Sequence, residues 1–415
     1  MECIPFANPS QSAPNPECCY HRPLPYSPSS VRPSTRPNWA EVSLAALRHN
    51  FRALQQHVGP DVEICAVVKC DAYGHGAEAC ALALEQEGAS WFGVTSTDEG
   101  AALRDAGVRS RILILVGVYG GEEEDALRYD LTPTVHRIDD VEAIARAAAR
   151  LGRRTPVPVH LKLDTGMARL GLTLSELDKF ITDFKAIPGV GLEGVFSHIA
   201  SAEVLDAEDA QRQEQRFDQV LHKLEVHGLR PPFQHLANSS ATLGRPATWY
   251  NFVRPGMALY GYELPLVHRD GSIAAGCHHP LGLIPAMSWK TRVLSLRDVP
   301  AGQALGYNGV YVMPTRGRIA VIAAGYGDGL YRRLSPGGYV LIHGHRAPML
   351  GQISMDLTIV DVTRLPHAEI GDEVVLLGVS GAEQITAVDH ARWSGTIPYE
   401  ILCNLSERVV RRHVE

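Results

Sequence analysis

A lysine amine at the end of an apolar run can act as a nucleophile or a base, and Lys69 stands in such a place, in Ala66-Val-Val-Lys-Cys-Asp-Ala-Tyr-Gly-His-Gly76. A desolvated amine of this kind forms covalent adducts with carbonyl compounds. Taken alone, Lys69 reads more readily as a solvated strand-end residue, so its company decides. Other apolar runs end in Lys162, followed by Asp164-Thr-Gly-Met-Ala-Arg169, in His198, in His235 followed by Asn238 and Ser239, and in Arg254 followed by Gly256 and Met257. Cationic side chains suit anions, and a serine hydroxyl beside bare glycine backbone suits a phosphate.

These residues need a scaffold that gathers strand ends. Eight strand-like runs are spaced along the chain: Glu63–Lys69, Trp91–Thr95, Ile112–Val116, Leu131–Val135, Val157–Leu163, Gly191–Phe196, Phe233–Leu236 and Asn251–Arg254. Segments of helical periodicity lie between them, among them Ala77–Gln86, Val141–Leu151, Leu174–Phe184 and Ala207–Glu225. Eight alternating β and α units predict an α/β fold, a (β/α)8 barrel with active residues at its C-terminal mouth; a doubly wound sheet is the competing architecture. After Pro285 the pattern turns to β-branched alternation broken by Gly and Pro, as in Arg318–Ala323, Tyr339–Ile342, Thr358–Val362 and Glu373–Leu377, which predicts an all-β second domain. The expected division is a tail over 1–36, a barrel over 37–282 whose leading strand can join the β domain, and the β domain over 283–415. The tail carries eight prolines and no apolar periodicity, so disorder is expected there.

A formal charge of −7 with no cluster of Lys and Arg argues against a nucleic-acid partner. No run of about 18 apolar residues exists to span a membrane, and no export signal is visible. The eight cysteines (Cys3, Cys18, Cys19, Cys65, Cys70, Cys80, Cys277 and Cys403) show no paired spacing, so a disulfide framework is not expected and a reducing cytoplasm fits. The pairs His278-His279 and His343/His345 lack a third ligand at metal spacing, and no metal is expected.

An amine beside a phosphate site at a barrel mouth suggests pyridoxal phosphate held covalently on Lys69. The motif Val68-Lys-Cys-Asp-Ala-Tyr-Gly-His-Gly76 then resembles the cofactor-lysine motif of alanine racemases. Further segments similar to that family follow in order: Arg36-Pro-Asn-Trp-Ala-Glu41, Lys162 to Gly171, Asn238-Ser-Ser-Ala-Thr242, Val253-Arg-Pro-Gly256, Gly325-Tyr-Gly-Asp-Gly329, Ser354-Met-Asp356 and Thr396-Ile-Pro-Tyr-Glu400.

The resemblance implies that Tyr73, Ser239, Gly256, Met257 and Tyr399 hold the phosphate, with Asn238 beside them. It places Arg254 at the pyridine nitrogen with His235 in support, and His198 near the ring. Arg169 is implied at the phenolic oxygen and the substrate carboxylate, oriented by a carbamylated Lys162. Met355 is implied at the substrate, with Tyr326 and Asp356 supporting. Racemisation removes a proton from one face of Cα and returns it to the other, so a second base must oppose Lys69. Tyr307, in Ala304-Leu-Gly-Tyr-Asn-Gly309, matches that base, and the family has it reach the barrel of the other subunit, which implies a head-to-tail homodimer acting on L- and D-alanine for peptidoglycan. The competing functions are a broad-specificity or serine racemase and a non-catalytic pyridoxal-phosphate carrier, the latter resembling the barrel alone. Departures from the family are Cys70 where Ala is common, Ser354 where some members have Cys, and Arg408-Val-Val410 without a frequent Pro. On a strand, Cys70 is expected to face away from Lys69 into the core.

Overall fold

The first strand, β1 (Asn38–Ser43), leads into helix α1 (Leu44–Val58), and only then does the barrel begin. The structure, a computed structural model, describes residues 35–273 and 280–415. The expected tail lies outside the described residues except for its last two positions, as do Cys3, Cys18, Cys19, Cys277 and the pair His278-His279.

The barrel strands are β2 (Glu63–Val67), β3 (Trp91–Val94), β4 (Arg111–Ile114), β5 (Thr132–Val135), β6 (Val157–Lys162), β7 (Val190–Phe196), β8 (Phe233–His235) and β9 (Phe252–Val253). All pair in parallel in chain order, and β9 returns to β2. Just past the ends of β8 and β9, the Arg254 N–H donates to the Ala237 carbonyl at 3.0 Å and draws the remaining seam together. Parallel strands buried on both faces read as unbroken apolar runs, which is why the eight expected strands and the observed ones coincide within two residues at nearly every end.

The crossovers are α2 (Lys69–Gly74) and α3 (Ala77–Gln86), α4 (Thr97–Asp105), α5 (Glu123–Arg128), α6 (Ile138–Arg150), α7 (Leu177–Ala186), α8 (Glu208–Val226) and α9 (Ser239–Gly244). In α6 the buried positions Val141, Ile144, Ala147 and Ala148 form one stripe, and Asp139 and Asp140 in the first turn complement the helix dipole.

The remaining strands are β10 (Met287–Val299), β11 (Ala304–Leu305), β12 (Tyr311–Val312), β13 (Gly317–Ile322), β14 (Tyr339–Ile342), β15 (His345–Leu350), β16 (Thr358–Asp361), β17 (Glu373–Ser380), β18 (Glu383–Ile385) and β19 (Val410–Val414). Nine strands form one sheet, ordered β18-β17-β14-β15-β16-β13-β10-β1-β19, and a further β17–β10 pairing bends it back on itself. Within this sheet β1 pairs antiparallel with β10 and parallel with β19.

Three expectations are corrected. The region after Pro285 is not all-β, because α10 (Ala387–Ser394) and α11 (Pro398–Cys403) follow β18. Thr386 caps α10 through the Asp389 N–H, and Gly395 ends it in the left-handed conformation. Lys69 does not close a strand; β2 stops at Val67, and Cys70, Asp71, Ala72 and Tyr73 all take φ between 53° and 55°. Cys70 consequently swings out of the strand alternation and is exposed instead of packed in the core.

Candidate active site

The left-handed turn that carries Lys69 costs about 1–2 kcal/mol per residue for side chains with a Cβ, so its surroundings must hold it. The Ala72 N–H donates to the Val68 carbonyl at 2.8 Å. Glu99 accepts the Cys70 N–H at 2.6 Å, Asp71 accepts the Ala77 N–H at 2.8 Å, and the Tyr260 hydroxyl donates to the Val67 carbonyl at 2.9 Å. Lys69 is thereby aimed into a cavity of about 560 Å³ at the C-terminal ends of the barrel strands.

Ten of the expected residues line that cavity: Lys69, Tyr73, Lys162, Arg169, His198, Asn238, Ser239, Arg254, Gly256 and Tyr399. Met257 and His235 are buried behind it. Tyr307, Tyr326, Met355 and Asp356 do not line it. Tyr307 sits on the turn between β11 and β12, 67% exposed, beside a separate cavity of about 710 Å³ shared with Leu305, Gln352 and Leu357. Met355 and Tyr326 are also exposed, and Asp356 is held by Arg408 at 2.5 Å in an ion cluster with Arg36 and Asp328.

Among the described residues no carboxylate lines the first cavity, whereas Lys69, Lys162, Arg169 and Arg254 all do. Burial, then the Arg169 guanidinium, lowers the Lys69 pKa below the ordinary lysine value. Burial followed by Arg254, Arg169 and Lys69 brings Lys162 down to about 8. His198 falls to about 3 through burial and Arg254, so its ring is neutral. Such a cavity favours neutral amines and bound anions together.

Arg169 is presented by a loop that leaves and rejoins the end of β6. The Asp164 N–H donates to the Leu172 carbonyl at 2.9 Å and the Leu172 N–H to the Lys162 carbonyl at 2.8 Å. A Cβ at Gly171 would lie 2.4 Å from the Leu163 carbonyl carbon, so the return needs glycine.

Arg254 is buried, and a guanidinium only donates. Its Nη1 donates to His235 Nδ1 at 3.0 Å and its Nη2 to the Ser197 carbonyl at 2.8 Å. His235 Nδ1 is therefore the acceptor, and its Nε2–H donates to His160 Nδ1 at 2.9 Å. His160 in turn aims Nε2 at Glu193, 3.6 Å away. Although burial raises the Glu193 pKa, His160 and the paired Arg111 bring it down to about 2. One row of donors thus fixes both histidine tautomers and the pose of Arg254.

Across the cavity, Ser239 Oγ accepts the Gly256 N–H at 2.8 Å. A Cβ at Gly256 would meet the Tyr73 hydroxyl at 2.3 Å, so hydroxyl and bare backbone share one small space. The Tyr73 and Tyr399 rings lie 6.0 Å apart, and burial keeps both phenols protonated.

Sequence reasoning missed His160, Phe196 and Cys403. His160 and Lys162 share a face of β6 by the two-residue period, which was the available signal. Phe196 ends β7 with its ring 5.2 Å from the Arg254 guanidinium and 5.4 Å from Lys162 Nζ. Cys403 comes from α11, a helix the β pattern concealed.

Comparisons with known proteins agree along the chain. The family model described as alanine racemase, N-terminal domain, matches residues 42–264, and that described as alanine racemase, C-terminal domain, matches 286–413. The alanine racemase of Syntrophobacter fumaroxidans is 41% identical over 89% of this chain and 95% of its own length. That of Carboxydothermus hydrogenoformans is 41% identical over 91% of this chain and 100% of its own. Among solved structures, an alanine racemase from D-cycloserine-producing Streptomyces lavendulae superposes with a TM-score of 0.84 at 34% identity, covering 92% of this chain and 97% of that one. The Bacillus anthracis alanine racemase with bound L-Ala-P gives 0.83 at 34% identity, covering 92% and 96%.

Proposed function

This chain belongs to the alanine racemase family, and from that premise we propose that Lys69 and Tyr307 are the two bases of its reaction and that pyridoxal phosphate is its cofactor. The reaction is amino-acid racemisation, the interconversion of L- and D-alanine. The observation that carries the assignment is a cavity in which Lys69 is held at lowered pKa among three other cations, with no carboxylate among the described residues of its wall.

The residues present fit the cofactor. Hydroxyls of Tyr73, Ser239 and Tyr399 with the bare backbone at Gly256 suit a phosphate, Asn238 and Met257 flank them, and a Cβ at Gly256 would fill that cradle. When bound, pyridoxal phosphate supplies an electron sink that acidifies the substrate Cα–H. Arg254 would face the ring nitrogen as a donor that is a poor source of a proton, so the sink stays weak and racemisation is favoured over transamination. Burial brings Arg254 to about 10, which leaves it charged at neutral pH. Arg169 would bind the substrate carboxylate, oriented by Lys162 in its carbamylated form. His198 would lie by the ring.

Lys69, its pKa lowered by burial and Arg169, takes or returns the proton on one face of Cα. Tyr307 cannot do the opposite job from where it stands in its own chain, since it lines a different cavity. A second copy of the chain would bring it to the mouth, together with Met355, Tyr326 and Asp356, in a head-to-tail homodimer. Exposed Val310, Val312, Met355 and Leu357 around Tyr307 supply apolar surface for that contact. The product D-alanine would serve peptidoglycan in the cytoplasm; no described helix is long and apolar enough to cross a membrane.

Borohydride reduction of the cofactor-loaded protein tests the assignment. The pyridoxyl group should appear on the peptide holding Lys69, and a coupled assay should detect D-alanine formed from L-alanine. A pyridoxyl label on another lysine would remove Lys69 from its role.

A further inference from the structure

Two thiols in the cavity wall are given no role by the proposed racemisation. Cys70 is exposed on the left-handed turn next to Lys69, and Cys403 is half-buried at the end of α11; both line the same cavity. The Cys70 thiol is close enough to Cys403 to be among the groups that raise its pKa. The elements that carry them are in backbone contact: a Cβ at Gly74 would lie 2.4 Å from the Leu402 carbonyl oxygen. Arg411 rivets the same seam, donating to the Gly74 carbonyl at 3.0 Å and to the Leu405 carbonyl at 2.7 Å. The other two described cysteines, Cys65 and Cys80, are buried in the barrel.

We propose that Cys70 and Cys403 are a covalent modification site, a thiol pair oxidised to an intrachain disulfide by small-molecule disulfides. Exposed Cys70 reacts first: its thiolate attacks one sulfur of the small disulfide, forms a mixed disulfide and releases a thiolate. Burial and the neighbouring Cys70 push the Cys403 thiol up to about 12, which makes it the slower, resolving partner. Cys403 loses its proton, attacks the Cys70 sulfur and expels the second small thiolate. Two protein thiols are oxidised, one small disulfide is reduced to two thiols, and the two protons pass to them. The new bond pins the helix bearing Tyr399 to the turn bearing Tyr73 and Lys69, across the pair of rings 6.0 Å apart. Exchange of cofactor through that seam slows in the oxidised protein, a consequence that rests on the proposed cofactor site.

The test treats the folded, cofactor-loaded protein with oxidised glutathione and maps its peptides without reduction, since Cys3, Cys18, Cys19 and Cys277 make simple thiol counting indecisive. A linked peptide joining Cys70 to Cys403 is expected, undone by dithiothreitol. In Cys403→Ser the same treatment should stop at a glutathione adduct on Cys70, and in Cys70→Ser the linked peptide should vanish. A persistent adduct on Cys70 in the unsubstituted protein, or two unmodified thiols, would overturn the pair. Spectroscopic release of pyridoxal phosphate to an acceptor apoenzyme should then be several-fold slower after oxidation and restored by dithiothreitol. A linked peptide with unchanged release would overturn the clamp and leave the disulfide standing.

Discussion

Tyr307 is the residue whose exposure makes least sense in one chain, and its removal should be the most informative change. Tyr307→Phe should leave cofactor binding intact, because the proposed cradle is in the barrel. Racemisation should fall about 10²–10⁴-fold in both directions, the usual cost of a lost acid/base. The resemblance to the family assigns Lys69 to the D face and Tyr307 to the L face; on that assignment, exchange of the Cα proton with D2O should persist for D-alanine and slow sharply for L-alanine. Equal exchange of both enantiomers would take Tyr307 out of the chemistry. Lys162 offers a second test. The proposed carbamylation needs its neutral amine, and with a pKa of about 8 that fraction rises as pH climbs through that value. Incorporation of 13C from labelled bicarbonate should follow that rise and be missing in Lys162→Ala. The same variant should lose about 10–100-fold in activity, the size typical of an orienting neighbour. An equal 13C signal in the variant would place the carbamate elsewhere.

At the scale of elements, the strands were legible and the turn was not. Buried parallel strands announce themselves as apolar runs, so the ends that deliver Lys162, His198, His235 and Arg254 could be read directly. The segment Cys70-Asp71-Ala72-Tyr73 contains no glycine, and the sign of φ leaves no trace in side-chain pattern. Gly74 and Gly76 after it were the only hint. The Cys70 side chain was misplaced for that reason, and its meeting with Cys403 depends on packing between segments remote in sequence. By contrast α10 had a readable start in Thr386-Ala-Val-Asp389, and α11 has Pro398 in its first turn. The turn itself can be tested through Gly74, which has φ of 80° and touches the Leu402 backbone. Gly74→Ala should destabilise the fold by about 1–3 kcal/mol. A lower midpoint in urea at unchanged slope is the expected record. An unchanged midpoint would mean that the α2–α11 seam yields.

For the whole molecule, the proposed sharing of sites predicts complementation. Neither Lys69→Ala nor Tyr307→Phe should racemise well alone. Mixed by refolding or coexpression, they should form heterodimers with one intact site, giving roughly a quarter of normal activity if the chains pair at random. If Tyr307 worked within its own chain, mixing would restore nothing. The match of a C-terminal domain model to residues 286–413 weighs against the barrel-only carrier, since the β sheet would then have no task.

The place of β1 has a consequence for how the polypeptide is made. It leaves the ribosome before any barrel strand, yet its two neighbours are β10, which follows the entire barrel, and β19, which ends at Val414. The barrel is thus spliced into the β sheet between two strands that pair with each other. As synthesis proceeds, β1 must wait with both edges unpaired while some two hundred residues of α/β structure emerge and fold, and one edge stays open until the last few residues are released. An unpaired strand edge is a template for other chains. Non-local pairing of this kind also slows folding. Barrel formation ahead of sheet closure is then the natural order of events, and chains truncated just short of Val410 should be found as aggregates carrying a folded barrel.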